Sequence, residues 1–237
     1  MKNIFFLQTI IGALVIAFPA AQGAAFTGTF SFSSATGNVA SLAYNGTAIP
    51  NVTVGNLQKV GVTTSSSSGN SRANGWSTGA TTGSNTFTGA IDTTDYFQFS
   101  LTAATGYTLD LTSVTFGIGR SGTGPRQWQW RSSVDSYAST IGSYTSTASS
   151  FFSTTSGVLT TPDTDFSGLG NVMDLSGSSF QDLSTITFRL YGYNAEASTG
   201  TGGLQGNLSF AGSVVPEPEA ALLGGLGLLG LLRRRRY

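Results

Sequence analysis

Tyr96-Phe97-Gln98-Phe99-Ser100-Leu101 alternates apolar and polar side chains one for one, so Phe97, Phe99 and Leu101 share one face and Gln98 and Ser100 the other. A repeat of two is the period of a strand with one face in a core and one in solvent. The same alternation recurs on both sides of this stretch. Ala25 to Phe32 puts Phe26, Gly28, Phe30 and Phe32 on one face, and Gly206 to Gly212 has a similar pattern. Two such terminal strands suggest neighbours in one sheet. Shorter candidates lie at Val39 to Tyr44, Gly55 to Val62 and around Phe87. Leu111-Thr112-Ser113-Val114-Thr115-Phe116 and Leu183-Ser184-Thr185-Ile186-Thr187-Phe188 share a six-residue pattern, as equivalent strands in two sheets would. Ser65 to Asn74, Gly79 to Asn85 and Ala195 to Gly203 are rich in Ser, Thr, Gly and Asn and read as loops, with Ser198 to Gly203 as a hairpin turn. Helical periodicity is confined to the two ends. Many short strands joined by polar turns predict an all-β domain, a single β-sandwich or jelly roll.

The ends read as export signals. Lys2, an apolar run from Ile4 to Phe18, and small residues from Ala20 to Ala25 have the layout of a signal peptide over residues 1–24, cleaved between Gly23 and Ala25. At the other end Val215-Pro216-Glu217-Pro218 is followed by an uncharged apolar run and then Arg233, Arg234, Arg235 and Arg236. Pro216 and Pro218 remove two backbone donors, so a helix starts only at about Glu219 and runs to Leu232. At 1.5 Å per residue that run is roughly 20 Å long, short of a ~30 Å hydrocarbon core. Long arginine side chains that reach the interface, and a bilayer that thins, accommodate the shortfall. The arginines act as a stop-transfer block.

Lys2 and the terminal arginines account for five of the 11 basic residues, and Glu217 and Glu219 for two of the 11 acidic ones. The body between, residues 25–213, carries a net charge near −3, which argues against a nucleic-acid partner, since phosphate binding needs a basic stripe. With no cysteine, the body relies on its own core.

Histidine is absent. That closes Ser-His-Asp triads, Cys-His dyads and histidine-bound zinc, and no spacing of carboxylates marks a catalytic pair, so no catalytic residue and no metal ligand set is assigned. Calcium held by Asp92 and Asp95, or by Asp163 and Asp165, is the alternative to no cofactor. The unusual cluster runs from Arg120 to Arg131. As a strand it sets Arg126, Trp128 and Trp130 on one face and Gln127, Gln129 and Arg131 on the other. Either the tryptophans fill the core while Arg131 pairs with Asp135, or Arg126, Trp128, Trp130 and Arg131 contact a glycan. Arg189, Tyr191 and Tyr193 form a second polar-aromatic face, opposite Phe188 and Leu190.

The tail resembles the PEP-CTERM sorting signal, with Val215, Pro216, Glu217 and Pro218 as the motif, 219–232 as the membrane helix and Arg233 to Arg236 as the basic stop. The resemblance implies a bacterium that makes exopolysaccharide, export through the Sec machinery, a membrane-held precursor, and processing by an exosortase. It says how the chain is handled. For the body it leaves three readings, in this order: a non-enzymatic structural protein of the cell surface or biofilm matrix, a carbohydrate-binding module with exopolysaccharide as partner, and a glycan-active enzyme.

Overall fold

The computed structural model describes residues 23–33, 36–65, 69–146, 152–153 and 156–217. Sixteen strands lie among them: β1 (Ala24–Phe30), β2 (Ser41–Leu42), β3 (Val52–Val54), β4 (Leu57–Val60), β5 (Thr63–Ser65), β6 (Asn70–Asn74), β7 (Tyr96–Ala103), β8 (Tyr107–Arg120), β9 (Pro125–Ser132), β10 (Tyr144–Ser146), β11 (Phe152–Ser153), β12 (Leu159–Thr160), β13 (Phe166–Asp174), β14 (Thr185–Ala195), β15 (Gly202–Gln205) and β16 (Leu208–Pro216). They form two antiparallel sheets. The first runs β1-β16-β8-β15-β6-β5, with β13 also on β8 and β10 on β13; the second runs β11-β12-β9-β14-β7-β4-β2, with β3 also on β7. The predicted all-β sandwich is the observed architecture. The expected signal peptide, sorting helix and basic stop lie outside the described residues, as does Pro218.

The alternation in β7 does what it predicts. Phe97, Phe99 and Leu101 are buried, and Phe99 stacks between Phe188 of β14 and Phe210 of β16, with ring centroids 5.3 and 5.7 Å apart. This aromatic column ties the two sheets together, each pair adding roughly 0.5–1.5 kcal/mol beyond its buried area. β1 pairs with β16 from Ala24↔Val214 to Phe30↔Leu208, so the terminal strands are neighbours, as their patterns suggest. Gly28 is required in that pair because a Cβ there would enter the Phe210 ring.

Of the two similar six-residue segments the first lies within β8 and the second leads into β14, which begins at Thr185, so they fall one in each sheet. In β8 strict alternation would send Leu111 and Val114 to opposite faces, yet both are buried. The register against β16 slips between Ala211↔Ser113 and Gly212↔Leu111, leaving Thr112 as the extra residue of a β-bulge. Its carbonyl accepts the Leu175 N–H at 2.9 Å.

Three expectations are corrected. The stretch Ser65 to Asn74 contains β6, whose polar residues are held extended by pairing with β15 rather than by their own preference. Ser198 to Gly203 is no hairpin turn: it lies on the path that carries the chain from β14 in the second sheet to β15 in the first. The body does not end at Ser213, because β16 continues through Pro216.

Candidate functional site

β16 delivers the sorting motif directly from the sheet. Val215 and Pro216 are in register with Thr108 and Tyr107 of β8, and the Glu217 N–H donates to the Gly106 carbonyl at 2.9 Å. Proline is tolerated there because, among the described residues, pairing with β1 stops at Ala24↔Val214 and gives Pro216 no ladder bond to lose on that side. No linker separates the folded body from the motif. Ala24, the first residue of β1, sits beside Val214, which brings the first strand and the start of the sorting segment together at one edge of the sandwich.

β9 sorts the Arg120 to Arg131 cluster between two environments. Trp128 and Trp130 point inward and are 0% and 1% exposed. Trp128 meets Trp76 edge to face at 5.3 Å, and Trp130 meets Phe116 in the same way at 5.3 Å. A Cβ on Gly192 would come within 2.7 Å of the Trp128 ring. The sugar-platform reading of these two tryptophans is therefore overturned. Their rings are core.

Arg126 is buried beside them, with Arg120 facing it from β8. Arg120 donates to the carbonyls of Gly122, Gly124, Pro162 and Thr164 and to Glu196 Oε1 at 2.7 Å. Arg126 donates to the Thr161 and Ser84 carbonyls and to Asn85 Oδ1, and lies 3.4 Å from Asp163. Hydrogen bonding with Glu196 and the Gly83 N–H, together with Arg126 and Arg120 nearby, holds the Asp163 carboxyl below the usual carboxylate range. Each arginine thus gathers carbonyls from loops that no ladder satisfies, and together they close one end of the inter-sheet gap. The aspartates considered for calcium have local work. Asp163 faces Arg126, Asp165 and Arg72 line one depression, and Asp92 accepts from the Thr94 N–H and hydroxyl. Among the described residues no group of three acidic side chains converges.

Arg131 alone of the four residues proposed for glycan contact is on the outer face of the second sheet. It does not pair with Asp135, whose carboxylate accepts the Ser139 N–H. Its guanidinium donates to the Tyr137 carbonyl at 3.0 Å and to Gln129 Oε1 at 3.3 Å, 5.7 Å from the Tyr191 ring centre. Directly across the ladder stands Arg189. That side chain is clasped between Tyr137 and Tyr96, 3.8 and 4.2 Å from their centres, and its Nε donates to Gln98 Oε1 at 3.3 Å. Gln129 donates in turn to the Tyr193 hydroxyl. Beyond Gln98 the face continues into a depression of about 180 Å³ lined by Asn56, Gln58, Ser100 and Thr187.

The sequence identifies Arg131 and the Arg189, Tyr191, Tyr193 trio separately. It misses that they are one surface, and it misses Tyr96 and Gln98 as members. Their period-two pattern marks them as outward, but only the β9-β14-β7 order makes them adjacent. A larger cavity, about 440 Å³, lies near Asp135 and Asp174, whose carboxylates are engaged by the backbone N–H groups of Ser139 and Ser176.

Among the described residues no helix is long and apolar enough to cross a membrane. No curated protein and no solved structure matches the chain. The family model described as the PEP-CTERM protein-sorting motif matches residues 214–236, the segment that begins inside β16. The chain therefore ends in a PEP-CTERM sorting signal, which makes it an exported protein whose membrane-anchored precursor is addressed to an exosortase.

Proposed function

We propose that the protein is a non-enzymatic structural component of the cell surface or extracellular matrix. Its sandwich is the cargo and its tail the address. The observation that carries this reading is the continuity of β16 into the matched motif, which makes the whole folded body part of what is sorted. A chain without histidine, in which the buried Glu196 carboxylate and the part-buried Asp163 carboxylate are each paired with an arginine, supports a structural over a catalytic role. The test is fractionation of cells producing an epitope-tagged chain. The mature form is expected at the surface or in the polymer matrix, without Leu222 to Tyr237. Recovery of the tagged body only in the periplasm, in cells with an active exosortase, would overturn the proposal. A second reading, carbohydrate binding, is favoured by the polar face around Arg131 and Arg189 and moves from the tryptophans to that surface.

A further inference from the structure

We propose that the outer face of the second sheet binds a carboxylate-bearing polysaccharide, a polyuronate, through Arg131 and Arg189. This deepens the carbohydrate-binding reading and rests on it. Like charges directly opposite on neighbouring strands destabilise a sheet, and among the described residues neither arginine has a carboxylate in ion-pair range. The two ion pairs among the described residues hold Arg120 and Arg126 instead. A local conflict of this kind, kept without a neutralising carboxylate, is the mark of a functional surface. A bound carboxylate supplies the missing counter-charge.

The surroundings narrow the ligand. Arg189 is held between two tyrosine rings and Arg131 lies over a third, so both guanidinium groups are positioned before any ligand arrives and little ordering entropy remains to be lost. Tyr191 and Tyr96 are 1% and 9% exposed, so recognition here falls to the guanidinium groups rather than to those two aromatic faces. The row Arg131, Arg189, Gln98 and Gln58 crosses four strands, roughly 14 Å at the usual strand spacing. Gln58, Gln98, Ser100 and Thr187 offer amides and hydroxyls along the adjoining depression, suited to the hydroxyl groups of a sugar chain. No large apolar side chain stands out from this row to seat a lipid or an amphipathic helix. Two arginines on one rung are far fewer cations than the phosphate-tracking stripe of a nucleic-acid binder.

Affinity electrophoresis of the full chain in mild detergent, through gels containing polygalacturonate, tests the proposal. Retardation is expected in polygalacturonate, with none in neutral dextran and at least tenfold weaker retardation after methyl esterification of the uronates. The double variant Arg131→Gln/Arg189→Gln is expected to weaken binding at least tenfold while melting within a few degrees of the parent. Arg72→Gln, which alters a cation of the other sheet, should bind as the parent does. Absence of binding by the parent, equal binding of the esterified polymer or of double-stranded DNA, or full binding by the double variant would each overturn it. A chain that binds neutral dextran through this face, with binding lost in the double variant, would leave carbohydrate binding standing and refute the uronate assignment.

Discussion

Two pairs of arginines divide this molecule. Arg120 and Arg126 face each other between the sheets, wrapped in carbonyls and paired with Glu196 and Asp163. Arg131 and Arg189 face each other across a ladder on the outside, clasped by tyrosines and paired with no carboxylate among the described residues. Arg126 and Arg131 belong to the same strand. Their difference shows that an arginine's role here is set by which side of β9 it leaves from, since five positions along a strand reverse its face. The inner pair organises loops, and the outer pair is arranged to meet something else.

The sharpest way to break this contrast is to remove one member of the inner pair. Arg120→Ala leaves Glu196 buried without its partner and four carbonyls without a donor, so a loss of about 3–5 kcal/mol is expected. Urea denaturation measures it directly. A change under about 1 kcal/mol would show that the inner pair is as dispensable as a surface ion pair. On the same strand, Trp130→Ala should cost about 3–5 kcal/mol through loss of transfer energy and the cavity left behind. Gln127→Ala, one face over, takes the acceptor from the buried Asn194 amide but opens no core cavity, so it should cost about 1–3 kcal/mol, less than Trp130→Ala. Equal melting temperatures for these two variants would contradict the assignment of faces.

Lys59 is a third inward cation, and it differs from the inner arginines in being able to lose its proton. Its Nζ donates to the Gly37 and Arg72 carbonyls at 2.8 Å, and burial pushes its pKa down to about 8. The unfolded chain therefore binds more protons than the folded one between about pH 8 and the ordinary lysine value near 10.5. Below that window both states carry the charge and its burial cost is borne in full. Stability should rise as the pH passes from about 7.5 to 9.5, and Lys59→Met should flatten the rise. Above about pH 10 the trend reverses, because burial raises the Tyr144 phenol and the unfolded tyrosines ionise first. Urea midpoints across this range check the sign; a parent that only loses stability from pH 7.5 upward contradicts it.

The smallest effect belongs to the outer pair. Arg189→Gln gives up two cation-π contacts worth about 0.5–1 kcal/mol each at exposed sites and relieves the repulsion from Arg131, so its net cost should fall below about 1 kcal/mol. Measured beside Arg120→Ala, this variant sharpens the contrast most. A loss as large as the inner one would make the outer arginines structural as well.

The sequence by itself determined what depends on near neighbours. Alternation at Tyr96 to Leu101 and at Arg126 to Arg131 sorted each strand into an inner and an outer face, because the pleat gives every extended segment a period of two. The matched tail determined how the protein is exported, because a sorting signal is a short contiguous string. Tertiary structure alone decided which faces touch. Arg131 meets Arg189, Arg120 meets Glu196, and Ala24 lies beside Val214 through pairings between distant parts of the chain. The bulge at Thr112 and the strand β6 were hidden for the same reason, since both are set by the partner strand and not by the residues that form them. Period two tells a side chain which way to point, whereas register against distant strands tells it what it will find there.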